Sequence, residues 1–269
     1  SVGFAKLSNY RTTVIIDAAP PPMGKNALKA DASTLAFEMV SGQRRIFTSC
    51  GPGYLFGPDL SSEGRQTNSH CTVYVDNQNS SEFRDIEGWL QPSKKVIING
   101  PRNVPKEISN EEGTAIFEGA HDGYVKSHGL THVRKLKLSQ DGQSLEGEDL
   151  MIAIEDPHKR QFDKISKKNS SDQISLKAAF HLHPDVAVRL DQENNLTSLA
   201  LKNGEVWIFN YSMDLHLQLA PTIFFENGLF EPLESKKLIL SADLLNYGTR
   251  IKWSLDRAID KDLSVGDLF

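Results

Sequence analysis

The chain has 269 residues, 39% of them hydrophobic, enough to close a large core without metals or disulfides. A net charge of −5 argues against a nucleic-acid partner, since such domains gather a basic excess on one face. No run of about 18 apolar residues occurs, so no membrane span is expected.

In chain order, residues 12–16 (TTVII), 34–40 (TLAFEMV), 45–48, 71–75, 95–98, 132–138, 205–209 and 250–255 read as short strands rich in Val, Ile and Phe. Ser41-Gly42, Asp141-Gly142 and Asn203-Gly204 join strand-like runs and supply the positive φ values that tight hairpins demand. Residues 18–31, with Pro20-Pro21-Pro22, residues 101–112 and residues 156–172 read as loops. In residues 132–138, Val133, Leu136 and Leu138 are expected to face a core, with the lysines between them facing water. The count is about fourteen strands, with no 3.6-period segment of ten or more residues. The expected fold is therefore all-β: a large antiparallel, supersandwich-like β-sandwich forming one domain over residues 1–269, with residues 156–172 as a long internal loop. Cys50 and Cys71 lack Cys-x-x-Cys spacing and are either one disulfide or two buried thiols. The opening Ser1 suggests a processed protein or a piece of a larger one.

His70 closes a loop and opens a strand, where functional groups gather. In Glu118-Gly119-Ala120-His121-Asp122-Gly123-Tyr124, an imidazole beside a carboxylate, with a phenol three residues on, suits proton transfer or grip on a sugar. The plainer reading is a hairpin with a polar tip. His181 and His183 share one strand face as metal ligands would, but without a third ligand nearby a structural role is the better reading. Arg44, Arg45, Arg65, Lys126 and Arg134 would suit an anionic glycan, although charges on a solvent face are commoner.

The ordered motifs resemble the bacterial heparinase II/III-like proteins. Four segments carry the resemblance: residues 33–39 followed by Ser49-Cys50-Gly51; Ser69-His70-Cys71-Thr72-Val73-Tyr74-Val75-Asp76; His121-Asp122-Gly123-Tyr124 with His132-Val133-Arg134-Lys135; and Phe180-His181-Leu182-His183-Pro184. Leu238-Ile239-Leu240-Ser241 and residues 251–255 are similar to that family's closing strands. The resemblance implies the β-sandwich that follows a helical α/α toroid, in a periplasmic or cell-envelope lyase that cleaves uronate-containing, acidic polysaccharide such as glycosaminoglycan by β-elimination. It implies His70, Asp31, His121 and Tyr124 as catalytic candidates, and Arg65, Asn68, Lys126 and Arg134 as contacts to substrate. In that family a sandwich histidine stands in a His-x-His pattern before residues 33–39. Here Lys29-Ala30-Asp31 occupies those positions, and much of the catalytic set comes from the toroid. A piece without the toroid is expected to be inactive by itself. A structural zinc held by His70 and Asp31 is also implied, although Ser49 stands where a ligand aspartate would be. The alternative is a carbohydrate-binding or scaffold module of a protein that has lost lyase activity.

Overall fold

Alternation of apolar and polar side chains sets the architecture. In the first hairpin Ala5, Leu7, Val14 and Ile16 are buried while Phe4, Lys6 and Ile15 face outward. The computed structural model describes residues 3–88, 91–168, 173–191, 196–244 and 246–258. Among them eighteen strands follow in chain order: β1 (Phe4–Asn9), β2 (Thr12–Asp17), β3 (Phe37–Ser41), β4 (Arg44–Phe47), β5 (Val73–Val75), β6 (Glu82–Gly88), β7 (Gln91–Asn99), β8 (Lys106–Glu111) and β9 (Thr114–Tyr124). The second half adds β10 (Leu130–Leu138), β11 (Ser144–Ile152), β12 (Ile174–His181), β13 (Ala187–Asp191), β14 (Leu196–Ala200), β15 (Val206–Tyr211), β16 (His216–Phe224), β17 (Leu233–Leu244) and β18 (Gly248–Arg257).

Every named strand pairing is antiparallel. An eight-stranded sheet runs β13-β14-β15-β18-β11-β10-β9-β8, and two four-stranded sheets run β1-β2-β3-β4 and β16-β17-β12-β5. The Phe47–Leu182 bridge, with Thr48 N–H donating to the His181 carbonyl and His183 N–H to the Ile46 carbonyl, stitches the two smaller sheets together. Phe37, Phe47 and Phe180 from that side meet Phe209 and Trp253 from the eight-stranded sheet. Phe37 stacks on Trp253 at 5.4 Å, and Phe180 meets Trp253 edge-on at 4.9 Å. Gly147 makes room for this cluster, because a Cβ there would lie 2.1 Å from the Trp253 ring. A fourth sheet, the β6-β7 hairpin, stands apart and packs through Val96 and Ile97 onto Ala27 and Ala30.

The all-β sandwich expected from the sequence is the fold found. Gly42, Gly142 and Gly204 adopt φ of 57°, 67° and 87°, as their turns require. Several local expectations need correction. Residues 156–172 are not one loop, for Asp156–Ser166 forms a helix, with Pro157 in its first turn and Phe162 buried. The helix carries few apolar residues, so its period is hard to see in the sequence. The 101–112 loop contains β8, whose side chains are nearly all exposed, which removes the alternation that marks a strand. A short 3-10 segment, Gly24–Lys29, interrupts the loop at 18–31. In β10 the parity is opposite for Val133, which shares the outer face with the lysines, while His132 and Arg134 point inward with Leu136 and Leu138.

Candidate functional site

Strand β10 places His132 and Arg134 inside because they share parity with its leucines, and pairing with β9 and β11 sets His121 and Asp149 beside them. Arg134 grips Asp149 through two bonds, Nε to Oδ1 at 2.7 Å and Nη2 to Oδ2 at 3.0 Å. Its Nη1 donates to the Leu35 and Cys71 carbonyls at 2.6 and 2.8 Å, tying two loops to the sheet. His132 Nε2 lies 2.8 Å from Asp149 Oδ1, and His132 Nδ1 lies 3.1 Å from His121 Nε2. His121 Nδ1 accepts the Gly123 N–H at 3.1 Å. One proton arrangement satisfies the row: His121 donates from Nε2 to His132, which donates from Nε2 to Asp149, both rings neutral. Burial lowers both imidazoles, and although burial opposes ionisation of Asp149, Arg134 and His132 hold its carboxyl well below the usual range. Tyr124, also buried, directs its hydroxyl to the Val73 and Gln78 carbonyls at 3.2 and 3.4 Å. His121, Tyr124 and Arg134 are therefore core groups, sealed from any substrate, and the polar hairpin tip expected at Asp122-Gly123 is instead part of β9.

The loop candidates divide differently. Arg65 is buried and committed to carbonyls: Nε and Nη2 reach Ala30 at 2.8 and 2.6 Å, Nη2 reaches Ala27 at 2.9 Å, and Nη1 reaches Lys95 at 2.7 Å. It pins the β6-β7 hairpin to the 24–31 loop and is not placed to meet a substrate. Asp31 sits 3.8 Å from Arg65 Nε with 32% of its side chain exposed. Burial pushes its carboxyl up to about 6 against the pull of Arg65. Asn68 is exposed and does not line the polar groove beside the β6-β7 hairpin; its backbone carbonyl accepts from His181 Nε2 at 2.8 Å and from Lys237 Nζ at 3.2 Å.

His70 is buried with neither ring nitrogen hydrogen-bonded, and burial lowers it to about 4. Among the described residues no group of three or more His, Cys, Asp or Glu side chains is arranged to hold a metal. Asp31 faces a guanidinium and Ser49 offers no carboxylate, so the donor set does not fit the zinc that the resemblance implied. Cys50 and Cys71 are separate buried thiols: Cys50 Sγ lies 3.3 Å from His181 Nδ1, and Cys71 Sγ accepts the His181 N–H at 3.2 Å.

Among the open depressions is a polar groove of about 560 Å³ between the β6-β7 hairpin and the end of β9, lined by Gln66, Gln78, Asn79, Lys95, Asn99 and Lys126 and also by the carboxylates of Glu82 and Asp85. A second depression of about 570 Å³ shares Asn99, Gly123 and Lys126 with it and adds Arg84, Arg102 and Asp122. Two of the amides are held in place. Asn79 Nδ2 donates to Gln66 Oε1, and Thr67 N–H donates to Asn79 Oδ1 at 2.8 Å. Asp122 Oδ1 accepts the N–H groups of Arg102 and Asn103 at 2.8 and 3.3 Å. Of the expected contacts to substrate, Lys126 alone lines this groove. Sequence reasoning missed Gln66, Gln78, Asn79 and Asn99. Their one signal was the polar turn Asn77-Gln78-Asn79 directly after a buried strand.

The antiparallel strands pack into a β-sandwich of several sheets, with a polar groove beside the β6-β7 hairpin. The chain belongs to the heparinase II/III-like C-terminal family, whose model matches residues 1–254. Heparan sulfate lyase HepC from Pedobacter heparinus superposes with a TM-score of 0.66 at 15% identity, covering 94% of this chain and 34% of that one. Heparinase III superposes with a TM-score of 0.61 at 14% identity, covering 94% and 36%. These likenesses show the fold. FtsZ-localized protein C of Caulobacter vibrioides is 25% identical over 259 residues, 95% of this chain. The chain spans 42% of that relative's length and about a third of each lyase.

Proposed function

We propose that this chain binds an acidic, uronate-containing glycan in the groove running from Gln66 to Lys126, as one wall of a polysaccharide lyase whose other wall is a helical toroid. The observation that carries the reading is the groove's chemistry: amides that both donate and accept suit sugar hydroxyls, Glu82 and Asp85 can accept from further hydroxyls, and Lys95 and Lys126 suit a uronate carboxylate. β-Elimination needs that carboxylate neutralised, a base for the C5 proton and an acid for the leaving oxygen. Of the catalytic candidates on this chain, His70, His121 and Tyr124 are buried, and Asp31 is the one with solvent access. A carboxyl raised to about 6 is a serviceable base near neutral pH, but Asp31 lines neither the groove nor the depression beside it and has no acid partner among those four residues. The remaining groups come from outside the chain, and the piece by itself binds without cleaving. Such a lyase would meet its polysaccharide in the periplasm or cell envelope.

A second reading, a glycan-binding scaffold without elimination, is supported by Lys29-Ala30-Asp31 in place of the His-x-His pattern. One experiment separates them. Full-length protein and this chain are each mixed with heparan sulfate, hyaluronan and alginate, and the ultraviolet absorbance of unsaturated uronides is followed beside affinity electrophoresis. Absorbance rising with the full-length protein alone supports the lyase. Retardation in the gel without any rise moves the assignment to the scaffold. Neither signal on any polymer sinks both readings.

A further inference from the structure

Beside the groove, β9 runs into a four-residue helix, Val125–His128, that closes on Gly129 at φ 73°. Ser127 lines the groove and is half-buried, while His128 behind it is buried. The Ser127 hydroxyl lies 2.9 Å from His128 Nδ1, and His128 Nε2 lies 3.3 Å from Asp76 Oδ2, across an ion-pair contact from the turn after β5. Asp76 is itself fixed, its Oδ1 accepting the Ser175 N–H at 2.8 Å.

These contacts determine the tautomer. A carboxylate accepts only, so the proton of a neutral His128 must sit on Nε2, facing Asp76. Nδ1 is then a bare acceptor, and the Ser127 hydroxyl is the group that donates to it. The alternative acceptor, the Tyr124 carbonyl, is farther from the hydroxyl at 3.4 Å. Burial lowers the imidazole against the opposing pull of Asp76, which keeps it neutral and able to take a proton. The hydroxyl of a groove-lining serine, a base bonded to it and a carboxylate orienting that base form the arrangement that activates a serine nucleophile, here with the two ring nitrogens exchanged relative to the usual order.

We propose that Ser127, His128 and Asp76 form a nucleophilic triad that hydrolyses an O-acyl ester carried on a glycan hydroxyl. Ser127 Oγ bonds to the ester carbonyl carbon as its proton passes to His128 Nδ1. The carbon–oxygen bond to the sugar breaks, and the sugar oxygen takes that proton. Water, deprotonated by His128, then attacks the acyl-serine, releasing a carboxylic acid and restoring Ser127. Lys126, which lines the same groove, is a cation available to the oxyanion. Ser127 is the catalytic nucleophile and Asp76 a positioning residue.

The glycan half of this inference rests on the groove reading above, so the test uses probes that separate the two. Full-length protein is treated with a fluorophosphonate and the labelled residue located by peptide mass spectrometry. Hydrolysis of 4-nitrophenyl acetate and of an O-acetylated uronate oligosaccharide is followed in parallel. Labelling at Ser127 is expected, with no labelling or turnover in Ser127→Ala. Asp76→Asn should lower kcat by roughly 10²-fold with KM little changed, which a merely structural role would not produce. An unlabelled Ser127 in protein with an intact thermal transition, or full turnover by Ser127→Ala, would overturn the triad and leave the groove reading standing. Cleavage of the nitrophenyl ester with the oligosaccharide untouched would overturn the glycan substrate while leaving the triad.

Discussion

Two regions of this molecule are built from the same kinds of residue, meet at Gly123, and do opposite things. Gly123 donates its N–H to His121 at one end of the sealed row and lines the open groove with Lys126. In the row, the side chains are buried and bonded to one another or to backbone groups. In the groove, amides of Gln66 and Asn79 bond to one another at one edge and leave capacity for a ligand. The same polar residue types thus form both a structural staple, where strand parity turns them inward, and an open groove, where loop and hairpin segments carry them.

The sharpest way to break that contrast is to unpair the row. Arg134→Met leaves the Asp149 carboxylate buried without its bidentate partner and should cost about 3–5 kcal/mol. Adding Asp149→Leu should recover much of the loss, because no buried charge remains. Urea unfolding of the two variants checks both statements, and an Arg134→Met midpoint equal to wild type would mean that the row contributes little to stability.

Acid gives the next effect. His70 is held near 4 in the fold against an ordinary 6.5, so between those values the unfolded chain binds the proton more tightly. Stability from this residue is complete above the ordinary value and is lost as pH falls toward the folded one, amounting to about 3 kcal/mol over the window. His181, lowered by burial to about 3, adds to the same slope. His70→Phe should flatten the pH dependence of unfolding by its share. An unchanged slope would show that His70 is solvated and the site open.

A third effect probes the packing that sets the row's depth. Gly147→Ala drives a methyl to 2.1 Å from the Trp253 ring and should cost about 1–3 kcal/mol, read as a lower Tm with altered tryptophan fluorescence. A Tm equal to wild type would show that Trp253 can move aside.

How much of this was legible beforehand follows from the same parity. Hairpins with Gly at the turn and alternating Val, Ile and Leu announced the sandwich, because burial on one face dictates the pattern directly. The row was misread because Val133 looks like a core residue and Arg134 a surface one. Only register with Asp149 and His121, distant in sequence, reverses that assignment. The groove was nearly invisible because Gln66, Asn79 and Asn99 come from three loop or hairpin segments with no common spacing. β8 was hidden for the opposite reason: its exposed, mostly polar side chains carry no alternation, and the strand exists through its pairing with β9.

The smallest effect tests the open half of the contrast. Lys126→Ala removes one exposed cation from the groove, and Asn79→Ala removes one amide whose bonds reach Gln66 and Thr67. A hydrogen bond or partly solvated ion pair contributes about 1 kcal/mol, so each variant should bind a uronate oligosaccharide roughly fivefold more weakly. Lys126→Ala should keep the wild-type Tm and its loss should shrink as salt rises, whereas the Asn79→Ala loss should be salt-independent. Calorimetric titration at two ionic strengths reads both. Equal affinity for wild type and both variants would move the glycan to another face of the sandwich, and salt-insensitive loss at Lys126 would mean that the lysine shapes the groove rather than meeting a carboxylate.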